Sequence, residues 1–182
     1  MLEDRLQRTQ LTEDEWSFGR PDAPVTLLEY GDFECPHCAA ARPVLEGLVA
    51  EDPKAIRLVY RHFPITTIHP HSLAAAEAAE AAGAQGKFWE MHDMLFTHQQ
   101  QLEDEDLRAH ADAIDLDLRR FDRDMEEHVH LDEVKRDFHR GVQDGVNGTP
   151  TIFINGLRYD GPRDRVSILA AIAALIEVGR SR

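Results

Sequence analysis

Three runs in this chain have the composition of β-strands, and the gap between the second and the third governs what it can fold into. Val25-Thr-Leu-Leu-Glu-Tyr30 and Ile56-Arg-Leu-Val-Tyr-Arg-His-Phe63 are rich in β-branched, aromatic and aliphatic residues, and Pro64 closes the second. Thr151-Ile-Phe-Ile-Asn155 is the third. The Asn155-Gly156 pair after it is a strong hairpin signal, with Leu157-Arg-Tyr-Asp160 as the returning strand. Between the first two runs, from Cys35 to about Asp52, Val44, Leu45 and Leu48 share one helical face, with Pro43 placed to kink it. Strand, helix and strand in that order predict parallel neighbours joined by a right-handed crossover. From about Ser72 to Gly145 the strand signal stops. Alanine, glutamate, leucine and histidine dominate, Gly83 and Gly86 interrupt, and Phe88, Trp89, Met91, Leu95, Val134, Phe138 and Val142 are spaced for packed helices.

The pattern predicts an α/β domain from residues 1–64 and 146–182, preceded by a short N-terminal extension and interrupted by an all-helical insertion of about four helices over 65–145. Thr12-Glu13-Asp14-Glu15 has capping-box spacing for a short helix, which Gly19, Pro21 and Pro24 then end. A final amphipathic helix is expected over Val166 to Ile176. A chain of 182 residues can bury about 70% of its unfolded surface, so it needs no staples to fold. The net charge of -14 opposes nucleic acid and anionic membrane surfaces as partners, because such a chain repels polyanions at long range. No apolar run reaches the 18 or more residues a spanning helix requires, so membrane insertion is not expected. Met1 to Gln10 lacks the basic start and apolar core of a secretory signal, which makes the cytoplasm the expected location.

Both cysteines of the chain stand in one motif, Cys35-Pro36-His37-Cys38. Three readings compete: a redox pair, half of a metal site, or two small core residues. A Cys-X-X-Cys at a strand-to-helix junction puts the first sulfur against unpaired amides and the positive end of the dipole, which favours a thiolate. Cys35 is then the nucleophile, and Cys38, one turn further in, resolves the mixed disulfide. Pro36 and His37 set the potential, the histidine adding a hydrogen-bond donor or charge near the Cys35 sulfur. Glu29, the one charge in an otherwise apolar strand, is the candidate acid to move the Cys38 proton. A zinc site would call for four ligands, with His62, His69 and His71 as its remaining donors on paper. Pro36 and the strand-turn-helix setting fit redox chemistry better. No bound cofactor is expected, since the cysteine pair itself carries the electrons. The other histidines, His92, His98, His110, His128, His130 and His139 among them, read as solvated or core-edge residues of the insertion. Phe88, Trp89 and Phe96 read as its core, and Glu103 to Asp106 as a solvated helix start.

Asp22-Ala-Pro-Val-Thr-Leu-Leu-Glu-Tyr-Gly-Asp-Phe-Glu-Cys-Pro-His-Cys38, Arg61-His-Phe-Pro64 and Gly148-Thr-Pro-Thr-Ile-Phe-Ile-Asn-Gly156 together resemble the DsbA-like branch of the thioredoxin superfamily. That resemblance covers residues 19 to 178 and implies a thioredoxin fold carrying an inserted helical domain. It further implies Pro150 as a cis-proline facing the disulfide, Thr149 offering backbone groups to a bound peptide, and Glu29 as the buried acid. The activity implied is thiol-disulfide exchange with protein or low-molecular-weight thiol substrates. Similar domains are also fused to sodium/proton antiporters, so a non-catalytic partner-binding module is the alternative, with a glutathione-dependent isomerase relative as another.

Overall fold

A computed structural model describes residues 9–180 apart from 13 and 14, and it divides into two compact units. One comprises the chain through residue 29 together with 40–60 and 151 onward; the other comprises 30–39 and 61–150. The first is built on a five-stranded mixed sheet in the order β1-β3-β2-β4-β5. Its strands are β1 (Trp16–Phe18), β2 (Val25–Gly31), β3 (Ile56–His62), β4 (Thr151–Ile154) and β5 (Leu157–Tyr159). β1 pairs antiparallel with β3, Trp16 opposite Tyr60, and β4 with β5, Ile152 opposite Tyr159. All seven residues of β2 are buried, as the nearly unbroken apolar run requires of a central strand. The helices α1 (Pro36–Glu51) and α7 (Arg165–Arg180) bring Leu45, Leu48, Val49, Ile168 and Ile172 into the buried set. Asn155 takes a positive φ of 49° at the hairpin, where its side-chain oxygen accepts from the Thr26 amide at 2.7 Å.

One expectation for this unit needs correcting. The short helix expected from Thr12 lies partly outside the described residues, at Glu13 and Asp14, but residues 16–18 are an edge strand. Trp16 and Phe18 have the aromatic character that pairs well across a sheet, and β3 supplies the partner that a sequence window cannot see. Helix α1 contains Pro43 in its interior.

The second unit holds the cysteine turn and five helices, α2 (Ser72–Gly83), α3 (Phe88–Thr97), α4 (Asp104–Ala113), α5 (Leu118–Glu126) and α6 (Leu131–Gln143). Five rather than about four form because the region after α4 breaks at an aspartate instead of a glycine or proline. Asp115 adopts a φ of 55°, and the Asp117 carboxylate caps α5 by accepting from the amides of Arg119 and Arg120. Glu103 opens α4 with a reciprocal capping box to Asp106. Helix α2 is the hub and packs against α3, α4, α5 and α6, an approach its alanine-rich surface permits. Gly141 of α6 marks another close approach, since a Cβ there would stand 2.6 Å from the Phe63 ring. Two glutamates of α2 are nevertheless buried. Glu77 meets His128 at 3.0 Å and Glu80 meets His62 at 2.9 Å.

Candidate active site

Cys35 immediately precedes α1, so it occupies the N-cap position with Pro36 as the first helical residue. Proline is suited there, because its missing N–H is one of the amides a helix start leaves unbonded in any case. The next two amides, of His37 and Cys38, do what capped amides do and turn to the residue at the cap. Both stabilise the Cys35 sulfur, and no acidic residue stands in the first turn to oppose them. Cys35 and Cys38 are both reduced and buried, the latter completely, whereas Pro36 and the His37 ring face outward.

The Cys35 thiol is held at about 5, far below the usual thiol range. The largest cause is a hydrogen bond from the Cys38 thiol, opposed by loss of hydration; Thr149 and the amides of Cys38 and His37 add further stabilisation. The residue therefore carries a negative charge at neutral pH. His37 contributes through its backbone amide. In the protonated form the Cys35 Sγ donates to the Thr149 carbonyl oxygen at 3.4 Å, across 114 residues of chain. The Thr149–Pro150 peptide bond is cis.

Residues outside the motif hold this turn. Asp32, 2% exposed, accepts the Cys35 amide on its backbone oxygen at 3.1 Å. Its carboxylate takes the amides of Glu34 and Ile65, each at 2.9 Å, and His69 Nδ1 at 2.8 Å. Gln99, just past α3, donates its side-chain amide to the carbonyls of Phe33 at 2.7 Å and Cys35 at 3.0 Å. Phe33 is anchored in turn, its ring 4.9 Å from Phe96 and 5.7 Å from His92. His92 and His110 are thus not at the core edge as expected. His92 is 1% exposed within an aromatic cluster that includes Trp89, and His110 bonds the Gln101 carbonyl at 2.9 Å.

The second unit brings together Cys35, Pro36, His37, Cys38, Thr149 and Pro150, while Glu29 lies fully buried on β2 in the sheet unit. Among the described residues, neither cysteine belongs to a cluster of three metal-ligating side chains. His62, Glu80 and Asp137 do form one, whose ligand atoms lie within 4.8 Å of one another, and His62 is hydrogen-bonded there to Glu80. Asp32, His69 and Gln99 were not assigned to redox chemistry from the sequence. The one signal available was His69 between Ile68 and Pro70, a histidine without a helical or strand setting.

Comparison with known proteins adds the wider frame. The family model described as Thioredoxin matches residues 11–174. Among solved structures, a thioredoxin-like oxidoreductase from Silicibacter pomeroyi superposes with a TM-score of 0.79 at 28% identity, covering 94% of this chain and 95% of that one. Pseudomonas aeruginosa DsbA2 does so with 0.71 at 25% identity, covering 87% and 92%. BdbD from Bacillus subtilis shares the fold at 0.77 and 23% identity, covering 88% and 91%. Among curated proteins, Na(+)/H(+) antiporter NhaA 3 of Salinispora tropica is 43% identical over 164 residues, which is 90% of this chain. The chain spans 25% of the length of that relative.

Proposed function

We propose, for a chain that belongs to the thioredoxin family and has the DsbA-like form of its fold, thiol-disulfide oxidoreduction through Cys35 and Cys38 with protein or small-thiol substrates. The observation that carries this reading is the Cys35 sulfur at the start of α1, ionised at neutral pH and hydrogen-bonded by the second thiol of the motif. In the oxidising direction, a substrate thiolate attacks Sγ of Cys35 in the Cys35–Cys38 disulfide, and the electron pair of the broken bond leaves on Cys38. A second substrate thiolate then attacks the substrate sulfur of the mixed disulfide and expels Cys35 as a stable anion. Two electrons pass from the substrate dithiol to the cysteine pair. Thr149 and the cis-Pro150 beside it supply the backbone edge on which a substrate segment aligns, and Pro36 and His37 form the exposed rim. The pair carries the electrons without a bound cofactor.

Insulin reduction by dithiothreitol tests the activity. The wild type accelerates precipitation and Cys35→Ser abolishes the acceleration; a wild type no faster than dithiothreitol alone would sink the reading. Titration against glutathione then gives the direction of electron flow. A second reading has one observation in its favour, the 43% identity to a stretch of a sodium/proton antiporter. In that case the domain serves as a redox-responsive module of a longer chain, and a cysteine pair that titrates against glutathione yet never turns over insulin would identify it.

A further inference from the structure

We propose that His69, oriented by Asp32, is the catalytic acid–base that moves the substrate thiol's proton during exchange; this rests on the oxidoreductase reading above and deepens it. Asp32 stands three residues before Cys35 with its side chain wholly buried. An ionised carboxylate only accepts hydrogen bonds, so in the neutral imidazole the 2.8 Å contact with His69 places the proton on Nδ1 and the lone pair on Nε2. The backbone oxygen of the same residue accepts the Cys35 amide, so one buried residue, through two groups, holds both the nucleophile's backbone and the imidazole. His69 retains 15% side-chain exposure and lines a cavity of about 360 Å³ with Pro36, the residue after Cys35. Glu34, His71, Gln99, Gln100 and Glu103 are the other polar walls. The His71 amide donates to Glu34 at 2.8 Å, and its ring is turned toward Glu103, with Nε2 3.6 Å from that carboxylate.

The chemistry calls for such a group on one side of the reaction. Cys35 leaves as an anion and needs no proton. An ordinary alkyl thiol with a pKa of about 8.5 is only about 3% ionised at pH 7 and must lose a proton to attack. In the step assigned here that proton passes to Nε2 of His69. The substrate sulfur bonds to Sγ of Cys35, the Cys35–Cys38 bond breaks, and its electron pair leaves on Cys38, which becomes a thiol with a proton drawn ultimately from solvent. The proton on His69 returns to solvent. In reverse, His69 protonates the departing alkyl thiolate.

The test compares two reductants of the oxidised protein at pH 7: glutathione, an alkyl thiol, and 2-nitro-5-thiobenzoate, already a thiolate. His69→Asn retains an N–H for Asp32 but offers no basic nitrogen. The expected result is a glutathione rate at least about 10-fold lower, with the thiobenzoate rate within two-fold of wild type and the Cys35 thiolate titration unmoved. Equal losses in both arms would assign His69 a structural role and overturn the proposal, as would unchanged rates in both. A wild type inert to both reductants would remove the oxidoreductase reading and this proposal with it. Should the asparagine variant misfold, His69→Gln is read by the same two arms.

Discussion

Replacing Cys38 by alanine isolates the strongest influence on Cys35. With its midpoint at about 5, Cys35 is about 99% thiolate at pH 7. The ionised form lies about 2.7 kcal/mol below the thiol at that pH, which raises the potential of the pair by roughly 60 mV over an unperturbed thiol. The Cys38 hydrogen bond is the largest cause, and a hydrogen bond to a charged acceptor contributes about 1.5–3 kcal/mol. Its loss in Cys38→Ala should therefore raise the midpoint by about one to two pH units, leaving between about 50% and 90% thiolate at pH 7. Cys38→Ser keeps a donor in place and should stay near wild type. Thiolate absorbance at 240 nm against pH reads all three proteins, and a Cys38→Ala midpoint equal to wild type would refute the assignment. The sign carries over to stability. A folded-state midpoint below the unfolded one near 9 stabilises the folded dithiol fully above pH 9, and this advantage is lost as pH falls through 5. The oxidised protein has no such thiolate, so the stability of the dithiol form relative to the disulfide form should rise with pH across that window.

Two further substitutions test the packing of the helical unit. Gly141→Ala adds a methyl 2.6 Å from the Phe63 ring, itself stacked on Phe138 at 4.5 Å and edge-on to Tyr30. Alanine's better helix propensity returns about 1 kcal/mol while overpacking costs about 1–3 kcal/mol, so a drop of a few degrees in Tm is expected and a rise would contradict the close approach. Arg61 is 1% exposed, donates to the Tyr30 hydroxyl at 2.7 Å and lies 3.6 Å from Asp144, to which that hydroxyl donates at 2.6 Å. Arg61→Leu should cost about 3 kcal/mol by leaving the Asp144 charge without its counterion, read as a lower urea midpoint with an unchanged slope; an unchanged midpoint would show that the guanidinium contributes nothing net.

The elements that the sequence announced are those with long, unambiguous periodicity. β2, β3 and β4, the Asn155-Gly156 hairpin, the helix after the cysteines and the helical stretch between β3 and β4 each carry their own local signal. Strand β1 does not. Three residues hold too little pattern, and only pairing with residues 58–60 makes them a strand. The burial of His92 was equally hidden, because the rings that surround it include Phe33, some sixty residues earlier. At the site, the motif's chemistry is readable from its cysteine spacing together with Pro36 and the strand-turn-helix setting. Asp32 and His69 lie 37 residues apart, and Cys35 and Thr149 lie 114 apart, so their meeting depends on tertiary structure. Thr149 was reached through a resemblance, and the Asp32–His69 pair through the fold.

The division of labour within the first turn of α1 has a consequence for how such a protein diversifies. The sulfur draws its amide support from the main chain at positions 37 and 38, while the imidazole of His37 projects outward. The Cys38 thiol supplies the largest share of the support and the peptide amides a smaller one, while the side chain at position 37 decorates the exposed surface beside the sulfur. Under the proposed activity, swapping that ornament is expected to change the surface a substrate meets while the Cys38 hydrogen bond and the two amides stay in place.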